Sequence, residues 1–385
     1  MWKAVASNAL TLLIVAMMVA AAAVVWARGE WQRAGPLEQA ICVRVESGSN
    51  MRALAAQLDE KGAVSDPRVY RVGVRYADLP GLKAGSFLVP EGASMAEIAD
   101  IVTRGGASTC GTEIVYRIGV ADIDARVREL DPATETFEVV AEFGPDDPVP
   151  AAYAELREAA DTRFRVSLAE GVTSWQVVEG LRFVDVLAGE VAEVPPEGTL
   201  APDSYEIAPG TRRAEVIELM QLSQEEILAD AWAARAPDLP LESPEEALIL
   251  ASIIEKETGI AEERRQVASV FVNRLRQGMR LQTDPTVIYG VTEGRGVLGR
   301  GLRQSELDRE TPWNTYLVAG LPPTPIANPG RAAIEAALDP DATPYVFFVA
   351  DGTGGHAFAE TLAEHNANVR AWRAIEAERA PATDG

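Results

Sequence analysis

Histidine and cysteine are nearly absent from this chain: its 385 residues include two of each, His356 and His365, Cys42 and Cys110. The two cysteines and two histidines make no recognisable zinc-ligand cluster, so a metal is not indicated, and no cofactor is expected. Basic residues are scarce too. With 35 lysines and arginines against 58 acids the net charge is -23, which speaks against nucleic acid as a partner, because phosphate recognition needs a basic surface. What is present is length enough for roughly two or three small domains with cores of their own.

Residues 9–26 form an almost wholly apolar run, interrupted by Thr11 and preceded by Lys3. At about 1.5 Å of rise per residue a helix of that length crosses a bilayer. A cleaved signal peptide is the alternative, since Ala20-Ala21-Ala22-Ala23 offers small residues. The run nevertheless exceeds the usual core of about 7–15 residues in such peptides, which favours a retained anchor. Lys3 and the amino terminus give a weak cytoplasmic bias that Arg28 and Arg33, on the far side, oppose.

The stretch Ile249-Leu250-Ala251-Ser252-Ile253-Ile254-Glu255-Lys256-Glu257-Thr258-Gly259 carries two glutamates to the end of an otherwise apolar helix. Ser243 caps the start, Pro244 suits the first helical position, Glu246 closes a capping box and Gly259 is the stop. On a helical period Glu257 shares the face of Leu250, Ile253 and Ile254, whereas Glu255 follows Leu248, Ala251 and Ser252 on a more mixed face. Desolvation disfavours a charged carboxylate and raises its pKa. Glu257 is therefore expected to be the better general acid. Taken alone, the segment also fits two glutamates that merely decorate a helix end.

The next segment, residues 261–277, places Val267, Val270, Phe271, Arg274 and Leu275 on one helical face and stops at Gly278. Beyond it come Gln282-Thr283-Asp284-Pro285-Thr286, Tyr289, Trp313-Asn314-Thr315-Tyr316, residues 320–330 and Asp351-Gly352-Thr353-Gly354-Gly355-His356. Amides, hydroxyls and tyrosines on turns between apolar elements are the chemistry of a sugar-binding cleft.

An internal repeat organises the middle of the chain. Val43-Arg44-Val45-Glu46-Ser47-Gly48 precedes a helical pattern through Met51, Leu54 and Leu58; Phe164-Arg165-Val166-Ser167-Leu168-Ala169-Glu170-Gly171 precedes another through Trp175, Val178 and Leu181. Each continues into a second strand and helix, at residues 85–102 and 203–220. The economical reading is two β-α-β-α units. Between them an acidic stretch punctuated by Asp131-Pro132 and Gly144-Pro145 reads as a surface insertion with a hairpin and one helix near residues 153–160.

Taken in order, several of these motifs resemble the endolytic murein transglycosylase (YceG-like) family. The resemblance is carried by Glu255-Lys256-Glu257-Thr258, by Asn273-Arg274-Leu275 through Thr286, by Asn314-Thr315-Tyr316, by residues 320–330, and by Gly354-Gly355-His356 with Glu364-His365-Asn366. It weakens over residues 106–161. The family implies an α+β fold behind a transmembrane helix: a cytoplasmic N-terminus (1–8), the helix (9–27), a LysM-like α+β module (28–106), an insertion or linker (107–161), a YceG-like catalytic region (162–378) and a flexible tail (379–385). The catalytic region divides into the second repeat unit (162–240) and a core (241–378). A LysM-like module would contact glycan strands; a plain α+β spacer fits that segment equally, since no binding residue is legible in it. The family's Pro-Asp-Thr-Tyr element stands here as Pro202-Asp203-Ser204-Tyr205, with Tyr205 in the cleft or in the core.

The resemblance also implies a chemistry and a location. The bulk of the chain would lie in the periplasm, anchored to the inner membrane, where Cys42 and Cys110 are expected to pair, two buried free thiols being the alternative. The reaction would be non-hydrolytic, lyase-class cleavage of the β-1,4 bond between N-acetylmuramic acid and N-acetylglucosamine in peptidoglycan, trimming or terminating nascent glycan strands. Glu257 would protonate the departing oxygen and then take the proton of the C6 hydroxyl that closes a 1,6-anhydro ring. Ordinary glycosidases need a second carboxylate about 5–9.5 Å away. Asp284, before Pro285, is assigned a structural or substrate-orienting role through its own backbone. Gln282, Thr283, Asn314, Thr315 and Tyr316 would hold sugar amides and hydroxyls, with Tyr289 as a wall; for each of them singly, a role in loop structure fits as well. Two alternatives remain: a hydrolytic muramidase using Asp284, and a non-catalytic glycan-binding scaffold. Peptidoglycan synthases or divisome proteins are possible partners by the same resemblance.

Overall fold

The computed structural model describes residues 2–46, 48–77, 79–104, 110–159 and 162–379. The expected flexible tail falls almost wholly outside them. The chain divides into two compact units, the first comprising Met1–Ile114, Arg126–Phe143 and Pro148–Arg163, the second the remainder.

In the first unit α1 (Trp2–Gln32) runs past the expected end at residue 27. Its Thr11–Gln32 stretch is long and apolar enough to cross a membrane. The extra turn has a local cause, because the Trp31 ring lies 6.0 Å from that of Tyr70 and packs over Gly73. Then follow β1 (Ile41–Val45), α2 (Met51–Glu60), α3 (Pro67–Tyr76), β2 (Gly85–Val89) and α4 (Met95–Arg104). Helix α3 was not apparent in the apolar pattern; Asp66 caps it, with Pro67 at the first position. Strands β1 and β2 pair antiparallel with Val43 opposite Phe87, and both side chains enter a core with Leu54, Leu58, Tyr70, Ile98 and Val102. Cys42 and Cys110 form a disulfide with Cα atoms 5.8 Å apart.

The stretch expected to be a surface insertion holds β3 (Thr112–Ile118), β4 (Ile123–Asp131), β5 (Thr136–Phe143) and α5 (Ala151–Leu156). The hairpin and helix are there, but β3 corrects the surface reading: Ile114, Tyr116 and Ile118 are fully buried. With β6 (Arg163–Leu168) and β7 (Ser204–Ile207), these strands form a sheet of order β5-β4-β3-β6-β7. Turn signals and acids along and after β4 and β5 obscure the buried strand β3 in the sequence.

Strand β6, α6 (Ser174–Phe183), β7 and α7 (Arg213–Ala233) repeat the order β1-α2-β2-α4. Both strand pairs are antiparallel. The repeat extends to the backbone: Gly48 and Gly171, each leading from strand towards helix, have φ +79° and +78°, a left-handed conformation glycine adopts at little cost.

The rest of the second unit is α8 (Pro244–Glu257), α9 (Arg264–Arg276), α10 (Asp284–Thr292), α11 (Gln304–Leu307), α12 (Arg331–Leu338), β8 (Phe347–Ala350), β9 (His356–Ala359) and α13 (Leu362–Arg379). Helices α7, α8, α9 and α12 share one core, including Leu250, Ile253, Ile254, Phe271 and Ile334. Ser243 caps α8 as expected, accepting from the Glu246 N–H. Glu246 does not close the box, since its carboxylate accepts from the Glu242 N–H at 2.7 Å. Gly259 follows the end of α8 but is not a left-handed stop: the helix ends at Glu257 and its cap Thr258 is extended, at φ -143°. A glycine stop is found after α9, where Gly278 has φ +65°.

Candidate active site

Residues 247–254 of α8 are buried all round. The contrast between an apolar and a mixed face therefore does not separate the two glutamates. Burial raises the carboxyl pKa of both. What separates them is their hydrogen-bond partners. Glu255 Oε2 accepts from the Gly330 N–H at 3.0 Å, which opposes the rise, while the Glu170 carboxylate adds to it. Lys256 Nζ donates to the Gly171 carbonyl at 3.1 Å, and burial lowers its pKa.

Glu257 Oε1 accepts from the Thr283 hydroxyl. Burial is the main cause of its raised pKa; the Thr283 bond opposes it, Asp284 adds to it, and His356 and Arg274 oppose it. Those groups come from three directions. Arg274, on α9, is buried and donates to the Val346 carbonyl at 2.7 Å and to that of Leu281. His356, on β9, is fixed by Glu263 through Nδ1 at 2.9 Å and its own N–H at 3.0 Å.

The polar residues singled out in sequence fall into two groups. Thr283, Asn314 and Thr315 face inward at 2%, 0% and 1% exposure. Asn314 Nδ2 donates to the Leu307 and Arg309 carbonyls, both at 2.8 Å, and its Oδ1 accepts from the Tyr316 N–H at 3.0 Å. Its amide is thus taken up in holding the loop, in line with the loop-structure alternative for this residue. Thr315 Oγ1 accepts from the Thr283 N–H at 3.1 Å, so it too is framework. Gln282 and Asp284 are exposed, and Gln282 adopts φ +49°. Asp284 begins α10, and its Oδ1 accepts from the Tyr316 hydroxyl at 2.7 Å rather than from its own backbone. Burial and that carboxylate raise the Tyr316 pKa.

Tyr289 belongs to a separate cluster that sequence reasoning missed. Its hydroxyl donates to Glu197 Oε2 at 3.1 Å, and its ring lies 5.5 Å from Trp313. Glu197 also accepts from the Ser174 N–H at 2.8 Å, and burial raises its pKa. A cavity of 260 Å³ beside this cluster is lined by Lys256, Pro285, Ile288, Tyr289, Val297 and Leu298 among others. The sole trace of Glu197 in the sequence is the turn Pro195-Pro196-Glu197-Gly198, which has no helical or strand period. Tyr205 lies in the core, its hydroxyl donating to the Ala201 carbonyl at 2.7 Å.

The loop before α12 straps the site. Asn328 Oδ1 accepts from the Leu200 N–H and Nδ2 donates to the Val172 carbonyl, each at 3.0 Å, while the Ile326 N–H donates to Ser252 Oγ at 3.0 Å. An α+β unit with acids at the end of a buried helix, enclosed by hydroxyl- and amide-bearing loops, has the makings of a carbohydrate-active site. The YceG-like family profile matches residues 43–371, and the chain belongs to this family. An endolytic murein transglycosylase of Bacillus subtilis is 28% identical over 329 residues, covering 84% of this chain and 82% of that protein. One of Streptococcus pneumoniae serotype 2 is 25% identical over 337 residues; the match covers 86% of this chain but only 58% of the pneumococcal protein. A crystal structure of a yceG-like protein from Listeria monocytogenes, 24% identical, aligns over 86% of this chain and 99% of its own with a TM-score of 0.46.

Proposed function

We propose that this chain is a membrane-anchored endolytic lytic transglycosylase that cleaves the β-1,4 bond between N-acetylmuramic acid and N-acetylglucosamine in peptidoglycan, leaving a 1,6-anhydro end. The observation that carries this reading is Glu257: a carboxyl whose pKa burial raises, with one oxygen engaged by Thr283. In its neutral form Glu257 donates a proton to the glycosidic oxygen as the C1–O bond breaks. As carboxylate it then takes the proton of the muramic C6 hydroxyl, whose oxygen bonds to C1. Proton and bond counts balance without water, so no second carboxylate is required. The engagement of Asp284 with Tyr316 suits an orienting role better than that of a hydrolytic base.

In this reading Gln282, Asp284 and Tyr316 hold the sugars and Tyr289 forms a wall, while Thr283, Asn314 and Thr315 shape the loops that carry them. Helix α1 anchors the chain in the inner membrane, residues 28–106 act as a LysM-like glycan-binding module, and the catalytic unit works in the periplasm on nascent strands. Full-length protein in detergent, incubated with peptidoglycan in isotopically labelled water, should yield anhydro ends without label. Labelled reducing ends would instead mean a hydrolytic muramidase. Glycan binding without products would mean a scaffold.

A further inference from the structure

We infer that Thr283 is a positioning residue for the acid of this site, holding Glu257 Oε1 as an acceptor so that the transferable proton resides on Oε2. The inference rests on the reading of Glu257 as proton donor. It comes from counting hydrogens in a ring of three threonines, Thr283, Thr286 and Thr315, none more than 2% exposed.

Each hydroxyl has one hydrogen to give. Thr286 Oγ1 lies 2.7 Å from the Thr283 carbonyl and 2.9 Å from Thr315 Oγ1. A carbonyl can only accept, so the Thr286 hydrogen points there. Thr315 must then donate to Thr286, and its oxygen accepts from the Thr283 N–H. With those hydrogens assigned, the Thr283 hydroxyl meets one acceptor among the described residues, Glu257 Oε1. In a neutral carboxyl the carbonyl oxygen is the better acceptor, so the acid proton sits on Oε2. No hydrogen bond among the described residues reaches Oε2, and Glu257 keeps partial exposure. The left-handed turn at Gln282 contributes by giving its own N–H to the Thr315 carbonyl at 3.2 Å, so that backbone and side chains lock the same loop. The charged or titratable groups facing Glu257 are Asp284 on α10, Tyr316 on the following loop, Arg274 on α9 and His356 on β9. All act on it through space, and Thr283 alone supplies a hydrogen bond.

The test compares wild type, Thr283→Val and Thr283→Ser as full-length protein on peptidoglycan, reading kcat, KM and the pH profile. For Thr283→Val, kcat should fall roughly 10–100-fold, as expected when a reacting group loses its alignment, with KM little changed. The alkaline limb should move to higher pH, because a donor that favoured the carboxylate is gone. Thr283→Ser should restore both. Unchanged kcat and limb would overturn the inference, as would a rise in KM alone or a defect that serine fails to rescue. If Thr283→Val does not fold, Thr283→Ala carries the same expectation. Carboxyl NMR titration of Glu257 in a folded variant reports the hydrogen bond independently of catalysis. Should wild type form no anhydro ends, the proposed function fails; an unmoved Glu257 titration in Thr283→Val would refute the positioning role itself.

Discussion

The Gly330 N–H donates to Glu255 Oε2 at 3.0 Å, tying the end of α8 to the start of α12. Two residues further along, Glu257 meets a hydroxyl rather than backbone. Both acids are half-buried, and they differ in what they hold.

Glu257→Gln should therefore lose turnover by about 10²–10⁴, the usual cost of removing an acid-base group, while retaining its far-ultraviolet dichroism and glycan binding. Glu255→Gln should stay within roughly tenfold of wild type, because an amide oxygen can still accept from Gly330. Anhydro-product assays separate the two, and a reversed ranking would identify Glu255 as the acid.

Much of this arrangement is legible in the sequence because it is periodic. The apolar positions of α8 and α9, the strand-helix repeat and the apolar N-terminal helix are all patterns of local spacing. Glu197 and the roles of Asn314 and Thr315 are not local. Asn314 closes its own loop through carbonyls five and seven residues away, and Glu197 meets Tyr289 across 92 positions. An exposed amide and a buried strut have the same letters, and only the path of the backbone distinguishes them. The buried strand β3 is hard to read in the sequence for a different reason: turn signals and acids follow it closely.

Three acids with raised pKa values, Glu197, Glu255 and Glu257, give the second unit an unusual pH dependence. A carboxyl whose folded pKa exceeds its unfolded value binds more protons in the native state, so stability falls as pH rises between the two. Below the ordinary carboxylate value of about 4.3 the contribution is fully present. It is lost as pH climbs through the raised values. The melting temperature of the second unit should thus fall as pH rises above the ordinary carboxylate range, and Glu257→Gln or Glu197→Gln should flatten the slope. A melting temperature that instead rises there would contradict these shifts.

Gly180, within α6, touches Ile118 of β3 so closely that an added Cβ would lie 2.6 Å from Ile118 Cδ1 and Cγ1 and 2.8 Å from Cγ2. Alanine would gain about 0.8–1 kcal/mol of helix propensity but overpack a branched side chain, which costs about 1–3 kcal/mol. The clash should win, leaving Gly180→Ala about 1 kcal/mol less stable in urea titration. In an Ile118→Ala background the clash is absent and the propensity remains, so the same substitution should become stabilising. An unchanged sign in that background would show that packing against Ile118 is not the cause.

The disulfide joins Cys42 on β1 to Cys110 after α4, closing a sequence separation of 68 residues. The Cys110 N–H also donates to the Ser86 carbonyl at 3.1 Å, so the junction would keep one hydrogen bond after reduction. In the chain-entropy account a loop of this length stabilises by about 4 kcal/mol. Its closing β1/β2 pair is only two-stranded, and isolated two-stranded pairs are marginal in water. The paired Cys42→Ser and Cys110→Ser substitutions should therefore lower the denaturant midpoint of the first unit selectively. Anhydro-product formation, which the proposed function assigns to the second unit, should persist wherever that unit stays folded. Equal loss of both transitions in guanidinium would contradict this division, and an unshifted first transition would show that the core of Val43, Phe87 and Ile98 suffices without the bond.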